Sequence, residues 1–536
     1  MIYDVLIIGN GGAGLSAALE AKKSSSNILV VSKTYATSSQ TSQAQGGINA
    51  VLNDTIDSVN SHIKDTSKAA NKLENLEAIE YMCENAKDTI KWLDKLGVPF
   101  SRNTQNNIAQ RNFGGASYPR TCYSSDYTGL KILHTLYDNC IKENISFLNE
   151  HQILSFIKND NENSIKGINL LDITNGEVLQ IFAKSIIIAS GGYAGLYHNY
   201  TTNSTSTTGE VLNAALDIGC ELENMEFIQF HPTSLKHNRL LLSESARGEG
   251  GYLVDQHGNR FIDELKPRDE VARAIYTKIL NGDTIYLDMR HLGIEHIKKT
   301  MPQEYEIVYD FTGLQLDVDL VEITPSAHYT MGGIKVDLDA KTNITNLFAC
   351  GEAASNRVHG ANRLGGNSLL EIITFGRLAG KNATLQAQDT ETFDTLEYTS
   401  LLEQEKEKIQ QIHQLPNTIN FQDKKQLLGE KLFKHLGLFR DETELLSLKN
   451  DITELIQDTS QMGTSDKSNI YNTDLKEFIE FKNMLELSLV IVLSALNRKE
   501  SRGAHHRTDF LDSKKEYEYS SVVNKTDNTI KVELWK

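Results

Sequence analysis

The sequence predicts an α/β fold centred on a Rossmann-type dinucleotide-binding domain, because three apolar strands each run into a glycine turn. The first strand, residues 5–8, is followed by GNGGAG at residues 9–14 and then by a helical pattern from Leu15. The second, residues 185–189, precedes SGG at 190–192, and the third, residues 347–350, precedes Gly351. Strand, G-x-G-x-x-G and helix in this order are the fingerprint of dinucleotide binding.

The glycine run at residues 9–14 has a physical purpose in such a fold. Its glycines permit a tight turn and the close approach of a pyrophosphate, which the N-terminus of the next helix stabilises. An acidic residue about 20 positions further on usually binds the ribose. Here the second strand, residues 28–31, ends in Ser32 and Lys33 without an acid. The motif alone therefore does not decide between FAD and NAD.

The remaining elements follow in order along the chain. Residues 76–96 have a helical pattern, residues 233–327 change to short strands, a turn at 255–258 and helices, and a helix begins again at Asn367. Residues from about 390 to 507 are helix-rich, and the tail, 511–536, is strand-like and polar. We therefore predict a first nucleotide-binding segment at 1–232, a second unit at 233–327, a return to the first domain at 328–388, and a C-terminal helical domain with a short polar tail at 389–536.

Length and charge limit the classes of function. At 536 residues the chain is too long for one hydrophobic core, so about two to four domains are expected. The net charge of −17, from 54 basic and 71 acidic residues, argues against nonspecific binding to nucleic acid or to an anionic membrane. An anionic substrate would need a local cluster of positive charge.

Cysteine usage and hydropathy predict a cytoplasmic chain. The five cysteines are scattered without a C-x-x-C pair, so neither a zinc site nor an iron–sulfur cluster is predicted. An odd, sparse set is typical of a reducing compartment, and residues 1–8 lack the basic start of a signal peptide. The longest apolar run, residues 487–496, is shorter than the ~20 residues of a membrane span and is predicted to be a buried helix.

The segment HGANRLGGNSLL at residues 359–370 is the most informative about function. A hydrophobic core does not need an arginine, a histidine and two glycine-rich turns this close together. The segment therefore indicates a functional site.

This segment and several others resemble, in the same order, the flavoprotein subunits of fumarate reductase and succinate dehydrogenase, a family that also contains L-aspartate oxidase. The matching segments are SK at 32–33, QGGINA at 45–50, RNFGG at 111–115, FHPT at 230–233, RGEGG at 247–251, PRD at 267–269, AHYTMGG at 327–333 and ESRGAH at 500–505. The resemblance covers nearly the whole chain. It implies FAD as the cofactor and an inserted α+β capping domain at residues 233–327.

The resemblance also implies a set of substrate residues. Reduction of a C=C bond in a dicarboxylate needs a hydride donor, which a flavin can be, a proton donor, and cations that hold the carboxylates. The matching positions are His231, Ser243, His328 and Arg363, with Phe113 on the wall of the site. Arg363 can pair with one carboxylate through two hydrogen bonds, and the histidines can donate to the other. The structural alternative is that a histidine only makes internal hydrogen bonds and that Arg363 only bridges two loops.

Arg268 matches the arginine that the family uses as proton donor. Arginine is an unusual acid because its ordinary pKa is above 12. A flanking positive charge and a relay that returns the proton would make transient deprotonation feasible. Glu244 and Arg247 match that relay and, three residues apart, can face the same way. The alternative is a surface ion pair worth under about 1 kcal/mol.

The FAD contacts implied by the resemblance extend over the whole nucleotide-binding domain. The glycines of the first turn would meet the pyrophosphate, Gly46 and Gly47 the isoalloxazine, and Glu352 ribitol or ribose hydroxyls. Ser368 and Leu369 would lie at the pyrimidine edge, at a helix N-terminus. The full predicted set is Gly9, Gly11, Gly12, Ala13, Gly14, Ser32, Lys33, Ser39, Gln40, Thr41, Gln45, Gly46, Gly47, Glu352, Arg363, Ser368 and Leu369.

One position departs from the family pattern. Many members attach FAD covalently through the histidine of an S-H-T sequence, whereas this chain has Ser39-Gln40-Thr41. Glutamine has no nucleophilic nitrogen, so we predict noncovalent FAD. In this family, loss of the covalent bond lowers the flavin potential. It thereby disfavours succinate oxidation and favours fumarate reduction, or oxidation by a strong acceptor such as oxygen.

Two enzymatic functions remain open at this point. The first is fumarate–succinate interconversion, with an iron–sulfur protein subunit as partner and a peripheral position at the inner face of the membrane through partner subunits. The second is L-aspartate oxidase, which forms iminoaspartate for NAD biosynthesis. Gln40 and the short C-terminus favour the second, whereas Phe113 favours the first because aspartate oxidases usually carry a glutamate in that segment. A nonenzymatic electron carrier or scaffold would not need the proton relay.

Overall fold

The computed structural model describes residues 2–25, 27–526 and 529–535 of the chain. Its strands, numbered in chain order, are β1 Ile2–Ile8, β2 Ile28–Val31, β3 Ile48–Asn49, β4 Gln110–Arg111, β5 Thr121–Cys122, β6 Ser146–Leu148, β7 His151–Asn159, β8 Ser164–Asp172, β9 Val178–Ile188, β10 Leu222–Glu223, β11 Ile228–Leu235, β12 Tyr252–Asp255, β13 Ile285–Asp288, β14 Val321–Thr330, β15 Gly333–Lys335, β16 Leu347–Ala349, β17 Ala354–Ser355, β18 Ser520–Thr526 and β19 Thr529–Trp535. The α-helices are α1 Gly12–Lys22, α2 Val59–Ala70, α3 Leu76–Leu96, α4 Thr128–Lys142, α5 Glu210–Asp217, α6 Glu244–Gly248, α7 Arg268–Leu280, α8 Ile294–Thr300, α9 Pro302–Thr312, α10 Asn367–Asp389, α11 Thr399–Gln414, α12 Phe421–His435, α13 Glu442–Asp458 and α14 Thr473–Asn497.

The largest sheet confirms the predicted α/β fold class. Its strand order is β6-β2-β1-β9-β8-β7, and β16 also pairs with β9. β1 runs parallel to β2 and β9, and β16 runs parallel to β9. The carboxyl ends of β1, β9 and β16 therefore lie side by side, and the three predicted strand-to-glycine turns meet at one edge of the sheet. That edge is where open α/β sheets bind nucleotides.

Helices α1 and α10 pack closely against each other beside this sheet. Glycines in α10 make the approach possible, because a Cβ on Gly376 would lie 2.6 Å from the carbonyl oxygen of Ala13 in α1. Any larger residue would push the two helices apart. This packing brings the N-termini of both helices to the edge where the glycine turns meet.

A second, four-stranded sheet carries part of the predicted substrate site. Its order is β11-β14-β13-β12, and helices α7 to α9 pack near it over a separate apolar core. The predicted boundaries at 232/233 and 327/328 fall inside β11 and β14. These two strands therefore run continuously from the nucleotide-binding part into the inserted part, and they carry His231 and His328 at the junction.

The C-terminal region is helical, as predicted, and its tail joins a sheet. The apolar run at 487–496 lies in the buried helix α14. The tail forms a hairpin, β18–β19, which completes a sheet of order β17-β15-β10-β18-β19. Within the parts of the chain that the structure describes, no helix is long and apolar enough to cross a membrane.

Candidate active site

One cleft extends from the glycine turns to the ends of β11 and β14. Its empty volume, counting space open to solvent, is about 1550 Å³. The predicted residues that line it are Gly9, Gly11, Gly12, Ala13, Ser32, Lys33, Ser39, Gln40, Thr41, Gln45, Gly46, Gly47, Phe113, His231, Ser243, Glu244, Arg268, His328, Glu352, Arg363, Ser368 and Leu369. Gly14 and Arg247 lie behind the wall. A cleft of this size can hold a dinucleotide and a small substrate together.

The first glycine turn leaves room for a ligand at some positions and not at others. Gly9 has a φ of +113°, which favours glycine, and a Cβ at Gly14 would overlap the carbonyl oxygen of Gly9. Gly14 therefore serves the packing of turn and helix. At Gly11, by contrast, a Cβ would make only ordinary van der Waals contact, with the Thr41 hydroxyl nearest at 3.5 Å.

The sequence has no acidic residue at the end of β2, but the fold brings acidic residues there from distant elements. Lys33 Nζ lies 2.5 Å from a carboxylate oxygen of Glu210, the first residue of α5 and 177 positions away. It also lies 2.7 Å from Glu480 of α14, which is 1% exposed. Burial opposes the charge of Lys33, but the two carboxylates outweigh it and raise the pKa of the ammonium above its ordinary value. Glu210 also lines the cleft, where an acidic residue is suited to ribose hydroxyls.

Several polar atoms on the cleft wall are suited to a polar ligand such as FAD. Ser39 Oγ, Gln45 Oε1, Ser190 Oγ and Arg363 Nε are buried and have no hydrogen-bond partner within the described structure. Buried polar groups without partners are costly, so a ligand that completes these bonds would be favoured. Gln40 is held in place because its side-chain oxygen accepts a 2.8 Å hydrogen bond from the backbone of Ser204.

The wall between the two ends of the cleft carries Glu352 and Tyr329. Glu352 accepts hydrogen bonds from the backbone and hydroxyl of Thr330 at 2.9 and 3.1 Å, and burial raises its pKa to about 7. The guanidinium of Arg363 lies 3.8 Å from the centroid of the Tyr329 ring, a cation–π contact. Burial and then the charge of Arg268 lower the pKa of Arg363 to about 10.

The predicted relay residues are assembled at the other end of the cleft. Glu244 begins α6 and Arg268 begins α7. One oxygen of Glu244 accepts from Arg268 Nε at 2.8 Å and Nη2 at 2.6 Å, and the other accepts from the backbone of Gly114 at 2.9 Å. Arg247 Nη2 lies 4.0 Å from Glu244. Burial would raise the pKa of the Glu244 carboxyl, but Arg268 and Arg247 outweigh burial and lower it.

The two predicted histidines lie together, with ring centroids 4.9 Å apart. His231 Nδ1 lies 2.9 Å from the carbonyl oxygen of Thr233 and accepts from the backbone N–H of Thr233 at 3.3 Å in the other tautomer. His328 Nδ1 is bonded to the hydroxyl of Thr202 at 2.8 Å. In both rings Nε2 is left for the cleft. Burial, and then the charges of nearby arginines, lower the pKa of both imidazoles well below their ordinary value.

Ser243 and Phe113 complete this end of the cleft. Ser243 is the N-cap of α6, and its hydroxyl accepts from the backbone of Ser245 at 3.1 Å. Its backbone N–H donates to Glu304 of α9, whose pKa burial raises well above the ordinary value. Phe113 is 4% exposed and packs against Gly46, where a Cβ would overlap the ring. The wall that Phe113 forms is therefore apolar and rigid.

Gln229 is an important neighbour that the motif search did not identify. Its side-chain oxygen accepts from Arg268 Nη1 at 3.1 Å, and its amide donates to Asn362 Oδ1 at 2.8 Å and to the carbonyl of Arg363 at 2.9 Å. Gln229 precedes His231 by two residues in β11, and alternate residues of a strand share a face. That alternation was the signal available in the sequence.

The five cysteines are buried and free. Among the described residues, no group of three or more His, Cys, Asp or Glu side chains is arranged to hold a metal ion.

In comparisons with known proteins, two families match this chain, one over its N-terminal part and one over its C-terminal part. A family described as "FAD binding domain" matches residues 4–369, and one described as "Fumarate reductase flavoprotein C-term" matches residues 425–536.

Similar proteins cover almost the entire length. The 8-methylmenaquinol:fumarate reductase flavoprotein subunit of Wolinella succinogenes is 37% identical over 534 residues, covering 95% of this chain and 86% of its own. The succinate dehydrogenase flavoprotein subunit of Rickettsia bellii is 35% identical over 565 residues, covering 99% and 94%. Among solved structures, the E. coli quinol fumarate reductase superposes with a TM-score of 0.95 at 31% identity, covering 100% of this chain and 96% of that one.

Proposed function

The chain belongs to the family of fumarate reductase and succinate dehydrogenase flavoprotein subunits, and from this premise we propose that it reduces fumarate to succinate. It is an FAD-dependent oxidoreductase of this type. One observation carries the choice of substrate. The guanidiniums of Arg268 and Arg363 and the imidazoles of His231 and His328 line one end of the FAD cleft, which suits a dicarboxylate.

The residues of the cleft would hold FAD along its length. The backbone of the first glycine turn and the N-terminus of α1 suit the pyrophosphate, Glu210 and Lys33 the adenine ribose, and Ser368 and Leu369, in the N-terminal turn of α10, the pyrimidine edge. When bound, FAD supplies the hydride.

Arg363 and the two histidines would bind the substrate carboxylates. The Arg363 guanidinium carbon lies 3.8 Å from the centroid of the Tyr329 ring, and its Nε has no partner in the described structure. A planar guanidinium in this state can donate two parallel hydrogen bonds to one carboxylate. His231 and His328 present Nε2 to the cleft, where each neutral ring can donate to the other carboxylate when Nε2 carries its proton.

Arg268 would deliver the proton to the substrate carbon. Glu244 and Gln229 together hold three of its nitrogen atoms, at 2.6 to 3.1 Å, so its position is defined before substrate binds. Two further guanidiniums lie nearby, those of Arg247 and Arg363. Glu244 would return the proton from Arg247, which lies behind it.

Gln40 supports reduction as the working direction. A glutamine at this position cannot form the covalent flavin bond, and by the family pattern a noncovalent flavin has the lower potential. We expect FAD to be released by acid or denaturant. Flavin fluorescence that stays with the polypeptide on a denaturing gel would contradict this.

We further propose that electrons reach the site from an iron–sulfur protein subunit. The E. coli and Wolinella proteins are named as a quinol fumarate reductase and as a flavoprotein subunit, so the relatives work as parts of an assembly. Attachment to the inner face of a membrane would then depend on partner subunits.

Turnover of fumarate against L-aspartate by the isolated chain tests the proposal. Phe113 offers an apolar ring where an ammonium group would need a carboxylate, and leaving that ammonium desolvated and unpaired is costly. We expect a higher kcat/KM for fumarate with a reduced dye than for L-aspartate with oxygen. The reverse order would establish an aspartate oxidase and remove the role given to Phe113. The comparisons already favour the reductase and dehydrogenase branch.

A further inference from the structure

The C-terminal segment ESRGAH, residues 500–505, lies away from the cleft but contacts the loop that carries Arg363. The backbone of Ala504 donates to the carbonyl of Ala361 at 3.0 Å. Gly503 has a φ of +53°, and a Cβ there would lie 2.5 Å from the same carbonyl oxygen. Only glycine permits this approach, so the segment is built to press against the 361–363 loop.

Helix α7 reaches the same place from the opposite direction. Asn362 donates to one oxygen of Asp269 at 2.7 Å, and Arg273 Nη2 donates to the other at 2.7 Å. Arg273 Nη1 then donates to the carbonyl of Gly503 at 3.0 Å. Asp269 and Arg273 thus join α7, the Arg363 loop and the C-terminal segment in one hydrogen-bonded junction. Their side chains are 12% and 20% exposed.

The junction controls the direction of Arg268. Arg268 and Asp269 are consecutive in the first turn of α7, so their side chains leave the helix about 100° apart. If Asp269 is held on the loop side, Arg268 must face the cleft.

A restraint is needed here because the two sides of the cleft repel each other. Arg268 and Arg363 carry like charges, and Arg268 is a cause of the lowered pKa of Arg363, second to burial. Inside the cleft, Gln229 links Arg268 to the carbonyl of Arg363. The junction links α7 to the same loop from outside the cleft and so opposes this repulsion.

We propose that Arg273 is a positioning residue that, with Asp269, holds the first turn of α7 against the Arg363 loop and the Gly503 segment, so that Arg268 is aligned with the substrate. This rests on the proposed function. The alternative is an ordinary i,i+4 ion pair on a helix, which contributes little to stability and has no effect on turnover.

The variant Arg273→Met distinguishes the positioning role from an ordinary ion pair, and Arg290→Met is the matched control. Like Arg273, Arg290 lies in the inserted part and pairs with an aspartate, Asp288, at 2.9 Å. Unlike the junction, this pair joins two residues of the same short segment. For Arg273→Met we expect kcat for fumarate to fall about 10- to 100-fold, as a misplacement of about 1 Å does. KM should stay within about threefold and the thermal midpoint close to wild type. In the absence of substrate, hydrogen exchange at the start of α7 should be faster in Arg273→Met than in the wild type. Arg290→Met should change none of these.

A kcat within about twofold of wild type with unchanged exchange in α7 would overturn the proposal. If Arg273→Met does not fold, Arg273→Lys serves instead. One ammonium on a shorter stem cannot span both Asp269 and Gly503, so kcat should still fall, by less. A wild-type kcat for Arg273→Lys would also overturn the proposal. If the wild type does not reduce fumarate, the proposed function is refuted. The junction can still be tested in that case, because hydrogen exchange in α7 is measured without substrate.

Discussion

The two ends of the cleft handle charge in opposite ways. At the nucleotide end, Lys33 and Lys476 face Glu210 and Glu480, two positive charges against two negative ones. At the reaction end, Glu244 is paired with Arg268, whereas Arg363 makes no ion pair with a described residue and its Nε has no hydrogen-bond partner there.

This difference indicates how each ligand is recognised. The balanced nucleotide end leaves the pyrophosphate to backbone N–H groups and helix N-termini, which cost no net charge. The reaction end leaves guanidiniums without a full complement of anions, and that imbalance is tolerable only because α7 and the 361–363 loop are held together. Stability should therefore depend most on the first end and turnover on the second.

Arg268→Lys should have the largest effect and should be confined to the reaction end. Lysine keeps the charge but cannot reproduce the planar fork held by Glu244 and Gln229. We expect fumarate turnover to fall about 10²- to 10⁴-fold, the usual contribution of a general acid, with FAD content and thermal midpoint retained. Reduced-dye assays measure fumarate turnover, and the flavin spectrum measures FAD content. Turnover within about threefold of wild type would remove Arg268 from the acid role.

Lys33→Met should break the nucleotide end. Removal of one partner leaves Glu210 and Glu480 buried without a cation between them, which typically costs about 3–5 kcal/mol. We expect a lower urea midpoint and less bound FAD, with an unchanged KM for fumarate in the fraction that retains FAD.

Lys33→Met/Glu210→Gln provides the control, since Glu480 keeps Lys476 at 3.3 Å and Glu210 is the carboxylate that loses its cation, so the double variant should recover part of the loss. A single variant as stable as wild type would show that the balance of charge at this end is unimportant.

Glu371→Gln should have the smallest effect on turnover and should appear as a change in the pH dependence of stability. Burial, and then the charge of Glu352, raise the pKa of the Glu371 carboxyl from 4.5 to about 8. Between these values the folded chain holds a proton that the unfolded chain has lost. The free energy of unfolding should therefore fall as pH rises from about 5 to 8, by up to about 1.4 kcal/mol per pH unit.

Unfolding of the FAD-loaded protein across this pH range measures the effect. Glu371→Gln should flatten the profile, whereas Glu403→Gln, at an exposed position of α11, should not. Identical slopes in Glu371→Gln and wild type would contradict the buried, protonated state.

Local patterns predicted the elements well where one element is self-sufficient. β2 at Ile28–Val31 and α3 at Leu76–Leu96 have the predicted bounds, because period and apolar content are visible within each segment. β1 begins at Ile2 rather than residue 5, and α1 at Gly12 rather than Leu15. Strand pairing and the glycine turn extend these elements beyond their apolar pattern. The tail was predicted to be strand-like, but its pairing with β10 depends on a strand about 300 residues earlier.

The sequence by itself determined the fold class, the FAD cofactor and the family, since these depend on residue types in a fixed order along the chain. It also supplied the chemical groups of the site, because a guanidinium or imidazole is specified by its residue. Only the tertiary structure decided which groups are neighbours. Glu210 and Glu480 balance Lys33, Gln229 holds Arg268, and Arg273 meets Gly503, across separations of 39 to 447 residues. Such contacts arise from the packing of distant elements, and no local period or spacing encodes them.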